Sequence, residues 1–195
     1  MAGPPPTSPP GSPPAPPAAP RHADWRFLLA HPAHLVALGF GSGLAPRAPG
    51  TAGTLWAWLV FAGLQDLLGP AGWAGVIAVS APLGWWACTR TAQRLGVADP
   101  GAVVWDEVLA FWIVLWLLMP ASVWAQLAAF VLFRFFDAAK PGPVGWVDRR
   151  FKLRPGQAIG WTQGAGILLD DLVAAAGTLL AMWALAWLMP AMGIL

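Results

Sequence analysis

The sequence predicts an all-α fold: a polytopic membrane bundle of about five hydrophobic segments, preceded by a disordered proline-rich tail. Three observations carry that reading. Of the 195 residues, 57% are hydrophobic and only 10% charged, against roughly 25% charged in a typical soluble domain. The mean hydropathy is +0.60, so a water-soluble globule of this composition would expose a large apolar surface. There are 14 tryptophans, the residue that favours membrane–water interfaces. The isoelectric point near 9.3 does not imply a nucleic-acid partner, because the formal excess is only +2. A single cysteine, Cys88, excludes an intrachain disulfide and any multi-cysteine metal site.

Taken in order, residues 1–20 (MAGPPPTSPPGSPPAPPAAP) are uncharged and carry no aliphatic residue larger than alanine apart from the initial methionine. Such a stretch cannot bury a core and is expected to be disordered, partly polyproline II. It lacks the basic start and apolar run of a signal peptide. Residues 21–195 are read as one integral-membrane domain. Its hydrophobic segments are expected near 51–69, 71–89, 104–119, 121–136 and 172–190, each close to the ~20 residues a spanning helix needs. LGPAG at 68–72 and MPAS at 119–122 supply the proline and glycine that end one helix and begin the next. Turns this short join antiparallel neighbours.

Sidedness follows from charge. With the N-terminus cytoplasmic, all eleven Lys and Arg residues fall on the cytoplasmic side, a complete version of the positive-inside bias. Eight of the nine acids lie there too, Asp66 being the exception. Six of these occur at or between the ends of the last three segments: Asp106, Glu107, Asp137, Asp148, Asp170 and Asp171. Carboxylates next to hydrocarbon are costly and are usually paired or functional. An alternative is that Asp106, Glu107, Asp170 and Asp171 all start helices and complement the macrodipole there.

Two further stretches add anion-binding chemistry. In RFFDAAKP (134–141), Arg134, Asp137 and Lys140 recur every third residue. That spacing allows an intrahelical salt bridge, or a clamp in which Arg134 and Lys140 hold phosphate oxygens while Asp137 holds a metal. GFGSGLAPRAPGTAGT (39–54) leads straight into the first segment. Its backbone amides can form an anion-binding nest, with Ser42, Gly43, Arg47 and Thr51 as candidate phosphate contacts. It is no Walker loop, for it lacks the glycine-lysine step. Acids for a hard divalent cation, basic groups for phosphate and an amide cradle at one membrane face point to Mg²⁺-assisted phosphoryl chemistry. The candidate catalytic acids are Asp106, Glu107, Asp137 and Asp171; the candidate Mg²⁺ ligands are Glu107, Asp137, Asp170 and Asp171. Adjacent helical residues point ~100° apart, so one of Asp170 and Asp171 is expected to ligate and the other to orient.

The absences narrow the reaction. His22, His31 and His34 all precede the first segment, and no Asp-x-Asp pair occurs. No cysteine-phosphatase loop is expected around Cys88. Attack by metal-activated water, without a covalent intermediate, is the expected route.

Four stretches, HLVALGFGSGLAPRAPGTAGTL, VVWDE, FVLFRFFDAAKPGPVGWVDR and GAGILLDDLVAA, closely resemble the bacterial phosphatidylglycerophosphatase A family in content and order. The resemblance covers about residues 31–192. It implies an all-helical, Mg²⁺-dependent enzyme of the inner membrane that removes the terminal phosphate of phosphatidylglycerophosphate, leaving phosphatidylglycerol, with its site on the cytoplasmic face. The loop RFKLRPGQAIGWTQ is more basic than usual for that family. Other readings are a non-catalytic anionic-lipid binder, a cation transporter, or a phosphatase for another lipid phosphate. One-sided charge argues against the transporter, whose sites lie near the midplane.

Overall fold

The computed structural model describes residues 22–142, 144–146 and 158–188. The proline-rich tail, Asp148, Arg149, Arg150, Lys152, Arg154 and the C-terminal PAMGIL lie outside the described residues. Within them every regular element is helical: α1 (Trp25–Leu29), α2 (Pro32–Ala37), a 3₁₀ turn (Gly39–Leu44), α3 (Pro49–Leu95), α4 (Trp105–Leu117), α5 (Val123–Ala139) and α6 (Trp161–Leu188).

The first two expected segments form one long helical element, α3, broken at Gly69. Gly69 has φ 59° and ψ −176°, a conformation that only glycine adopts readily, and Pro70 follows. The break folds α3 back on itself. In a straight helix Trp56 and Ser80 would stand about 36 Å apart. Here the Trp105 ring lies 6.3 Å from Trp56, and its Nε1 donates to the Ser80 carbonyl at 3.3 Å. Phe61 likewise meets Trp73 at 4.5 Å across the hairpin.

α4 fills the fork. Val104 packs on Gly53 of the first arm, and Trp105 lies so close to Gly84 of the second that a Cβ there would overlap its ring. Almost every α4 side chain as far as Leu115 is buried. Two more tryptophans tie it to α3: Trp112 Nε1 donates to Ala57 O and Trp116 Nε1 to Pro70 O, both at 2.9 Å. Tryptophan was expected as an interfacial anchor or as filler between helices. On α4 it serves between helices, where each indole N–H finds a backbone acceptor.

α5 and α6 complete the bundle. α5 is apolar on two faces: Ala125, Ala129 and Phe133 are buried, while Val123, Leu127, Val131 and Phe135 are exposed. α6 exposes Leu180, Trp183 and Trp187. Apolar side chains at helical spacing on an outer face suit a lipid solvent.

Two expectations need correction. Two described helices, α3 and α6, are long and apolar enough to cross a membrane, where about five hydrophobic segments were expected. α4, with 13 residues, is about 20 Å long, short of the ~30 Å hydrocarbon core. Also, α6 begins at Trp161 and not at the acids, because WTQGAGILL is already helical. Gly164 lets that extension pack against Thr89, where a Cβ would overlap Oγ1. Asp170 and Asp171 therefore sit in the helix interior, and the macrodipole offers no account of them.

Candidate active site

Helix ends from α3, α4 and α5 meet the middle of α6 at one end of the bundle. Asp106 and Glu107 occupy the first turn of α4, Arg134 and Asp137 the last turns of α5, and Asp171 the buried face of α6. One carboxylate oxygen each from Asp106, Glu107 and Asp171 lies within 4.8 Å of the others. The Asp137 carboxyl lies beside that of Asp171, and Asp106 beside Glu107. Asp106 and Asp171 are 8% and 3% exposed, so water cannot disperse their charge.

Arg134 is the cation inside this group. Its Nη1 lies 2.5 Å from Asp137 Oδ2 and 3.8 Å from Glu107 Oε1, and donates to Thr54 Oγ1 at 3.3 Å. Thr54 in turn donates to Gly50 O at 2.8 Å. The first turn of α3 is thereby fixed against the site, and Gly50 is what admits it. A Cβ at Gly50 would overlap Glu107 Oε1 and come within 3.2 Å of both terminal nitrogens of Arg134.

Five buried side-chain polar atoms among the described residues have no hydrogen-bond partner, and four belong here: Asp106 Oδ1, Glu107 Oε2, Arg134 Nε and Asp171 Oδ2. Buried polar groups are ordinarily satisfied, since an orphan costs about 1–3 kcal/mol. Three orphaned carboxylate oxygens in one cluster match the all-oxygen shell of a hard divalent cation. The orphaned guanidinium N–H beside them is a donor for an anion.

The remaining sequence candidates are placed differently. Asp170, next to Asp171, points to Lys140, whose Nζ lies 2.7 Å from Oδ2. The clamp expected of Arg134 and Lys140 is therefore divided between two carboxylates. Lys140 caps α5 in the left-handed region, φ 45°. In the glycine-rich loop, Ser42 Oγ donates to Gly39 O at 2.9 Å and Gly43 N–H to Leu38 O at 3.0 Å. Gly43 also packs so closely on Ala102 O that no Cβ fits. These donors are spent within the loop and on the end of α2, and do not form the open amide cradle expected of them. Arg47 is exposed and Thr51 half-buried. Gly50 and Thr54 were not singled out in the sequence; their only signal is i,i+4 spacing at the start of the first segment. Asp106 was expected as a catalytic acid and also joins the oxygen cluster.

Cys88 and Arg94 do have the Cys-x₅-Arg spacing of a cysteine phosphatase, which the sequence reading overlooked. Both lie in the continuous second arm of α3, with Cys88 fully buried and Arg94 exposed. No phosphate-cradling loop separates them.

A helical bundle with a buried carboxylate cluster that could hold a cation, an embedded guanidinium and an apolar exterior fits a membrane-associated enzyme. The comparisons place it further. A family model described as phosphatidylglycerophosphatase A matches residues 35–186. Phosphatidylglycerophosphatase A of Escherichia coli K12 is 40% identical over 158 residues, covering 79% of this chain and 85% of that protein. The protein of the same name from Haemophilus influenzae is 38% identical over 162 residues, 83% and 93% of the two chains. A putative phosphatidylinositol-3-phosphatase of Bacteroides thetaiotaomicron is 37% identical over 147 residues, 72% and 84%. No solved structure matches. The chain belongs to the phosphatidylglycerophosphatase A family and is a phosphatase.

Proposed function

We propose that this chain hydrolyses the terminal phosphate monoester of phosphatidylglycerophosphate to phosphatidylglycerol, with Mg²⁺, at the cytoplasmic face of a bacterial inner membrane. One observation carries the reading: three orphaned carboxylate oxygens lie beside an embedded, partly unpaired arginine in a chain of this family. Asp106, Glu107 and Asp171 would hold the ion. When bound, it would polarise a phosphoryl oxygen and lower the pKa of a water molecule.

The chain's own residues supply the rest. Arg134 is oriented by Asp137 and Thr54, leaving Nε to meet a phosphate oxygen and the charge that builds on it. The Gly50 and Thr51 amides open α3 and have no intrahelical acceptor, a second source of donors for the same anion. Asp137, beside Asp171, is placed to take a proton from a water on that side. The crowded carboxylates repel an anionic substrate until a cation neutralises them, so turnover should require metal. With α3 and α6 embedded in the membrane, the site and the described arginines would lie at the positive-inside face.

The test is phosphate release in detergent micelles with Mg²⁺ and with EDTA. The substrates are phosphatidylglycerophosphate, phosphatidate and phosphatidylinositol 3-phosphate. Mg²⁺-dependent release from the first lipid alone is the expected result. Preferential release from the third would favour a second reading, which the name of the Bacteroides relative motivates. Release unaffected by EDTA would overturn the metal assignment.

A further inference from the structure

A cleft of about 590 Å³ opens between α2 and the second arm of α3. It shares no residue with the carboxylate cluster, and no acid among the described residues lines it. Arg90 and Arg94 stand one turn apart on α3 with Gln93 beside them; His31 and His34 of α2 face them, and Trp86 forms the inner wall.

The groups in it are poised to donate. Neither arginine forms an ion pair with a carboxylate among the described residues. His31 Nδ1 accepts the Ala33 N–H at 3.0 Å, which leaves Nε2–H as its donor. The His31 ring lies 5.9 Å from Trp86. His34 is fixed below it, with Nδ1 3.0 Å from Thr91 Oγ1 and its ring stacked on Phe27 at 4.1 Å. Positive-inside bias accounts for arginines at this end of the bundle. It does not account for an acid-free cleft walled by an indole and an anchored imidazole.

The helix face below the cleft indicates the ligand. Val79, Leu83, Trp86, Arg90 and Arg94 follow one another at spacings of three or four, and so form one stripe. Val79 and Leu83 are 67% and 38% exposed. The stripe passes from bare aliphatic through indole to paired guanidinium over about 22 Å. A phospholipid has the same polarity profile. A free phosphate would have no use for the aliphatic end.

We propose that this cleft binds the phosphodiester headgroup of an anionic phospholipid, with an acyl chain along Val79 and Leu83. The inference stands apart from the reaction proposed above and survives or fails without it.

The experiment is native mass spectrometry of the full chain in an uncharged detergent with EDTA, where the metal-free carboxylates repel anions from the other site. Phosphatidylglycerol and phosphatidylcholine with identical chains are the probes. The parent should retain the first and not the second. The double variant Arg90→Gln/Arg94→Gln should bind phosphatidylglycerol at least about tenfold more weakly, as expected for losing charge-assisted contacts. Arg26→Gln, at another exposed arginine, should leave binding intact. A circular-dichroism melt checks folding; should the double variant not fold, Arg94→Gln alone must weaken binding in the same direction. Unchanged binding, or an equal loss with Arg26→Gln, would overturn the proposal. So would displacement of the lipid by equimolar inorganic phosphate, which would mark a site for the free anion.

Discussion

The two ends of the bundle solve the problem of buried polarity in opposite ways. At the hairpin tip the polar groups largely satisfy one another, the buried Trp73 Nε1 excepted. Trp116 donates to Pro70 O, Trp58 to Gln126 Oε1, and Gln126 in turn to Ala121 O. At the other end four buried polar atoms face one another without partners, and like charges are crowded together. The tip is arranged as a stable fold requires. The carboxylate end is held together by the rest of the bundle and leaves its polar atoms unpaired. Stability and activity should therefore respond to different residues, and substitutions at the two ends can break or sharpen that division.

The largest effect is expected at Asp171. Asp171→Asn keeps the shape but removes a charge from the cluster, and should lower phosphate release at least a hundredfold, on the order of losing a key electrostatic contact. The same change relieves like-charge repulsion, so the metal-free protein should melt at a higher temperature than the parent. A lower melting point would show that the carboxylates hold the fold.

Gly50 sets the two criteria against each other. A helical Gly→Ala change ordinarily stabilises by about 0.5–1 kcal/mol. At Gly50 the added Cβ would displace Glu107 and press on Arg134. Gly50→Ala should cost about tenfold or more in turnover, the scale of a small misplacement in a site. Full activity in this variant would mean that the Glu107–Arg134 geometry is not needed.

The tip should show the converse. Trp116→Phe removes the hydrogen bond to Pro70 and should cost about 1 kcal/mol of stability, with turnover unchanged once the protein is folded. A comparable loss of turnover would tie the tip to the site.

The smallest effect is one of pH. Burial, with His31 and Arg94 nearby, holds His34 below its ordinary value of 6.5. As pH falls through 6.5 the unfolded chain takes up a proton that the folded chain resists, so stability is lost below that value and is fully present above it. His34→Gln should flatten that part of the melting profile. An unaltered slope would assign it to other groups.

Much of the site was readable because its chemistry is local and costly. A carboxylate beside an apolar run has to be explained by something, and Asp106, Glu107, Asp137 and Asp171 all lie in such places. The family was readable from four ordered motifs. Sequence also placed the break at residues 68–72, since Gly69-Pro70 cannot continue a regular helix. It could not divide neighbours. Asp170 and Asp171 are identical in sequence terms, and only the packing of α6 directs one to Lys140 and the other to the cluster. Nor could it find Gly50 or Thr54, whose importance lies in what approaches them from α4 and α5. Ser42 and Gly43 show the reverse limit: a glycine-rich loop suggests an amide cradle, but Gly39 O and Leu38 O take up the donors and Ala102 packs against Gly43. Composition and periodicity determine which solvent a chain needs and where its helices break, because those depend on residues near in sequence. Which carboxylate meets which cation depends on distances between helices, and only the folded bundle decides that.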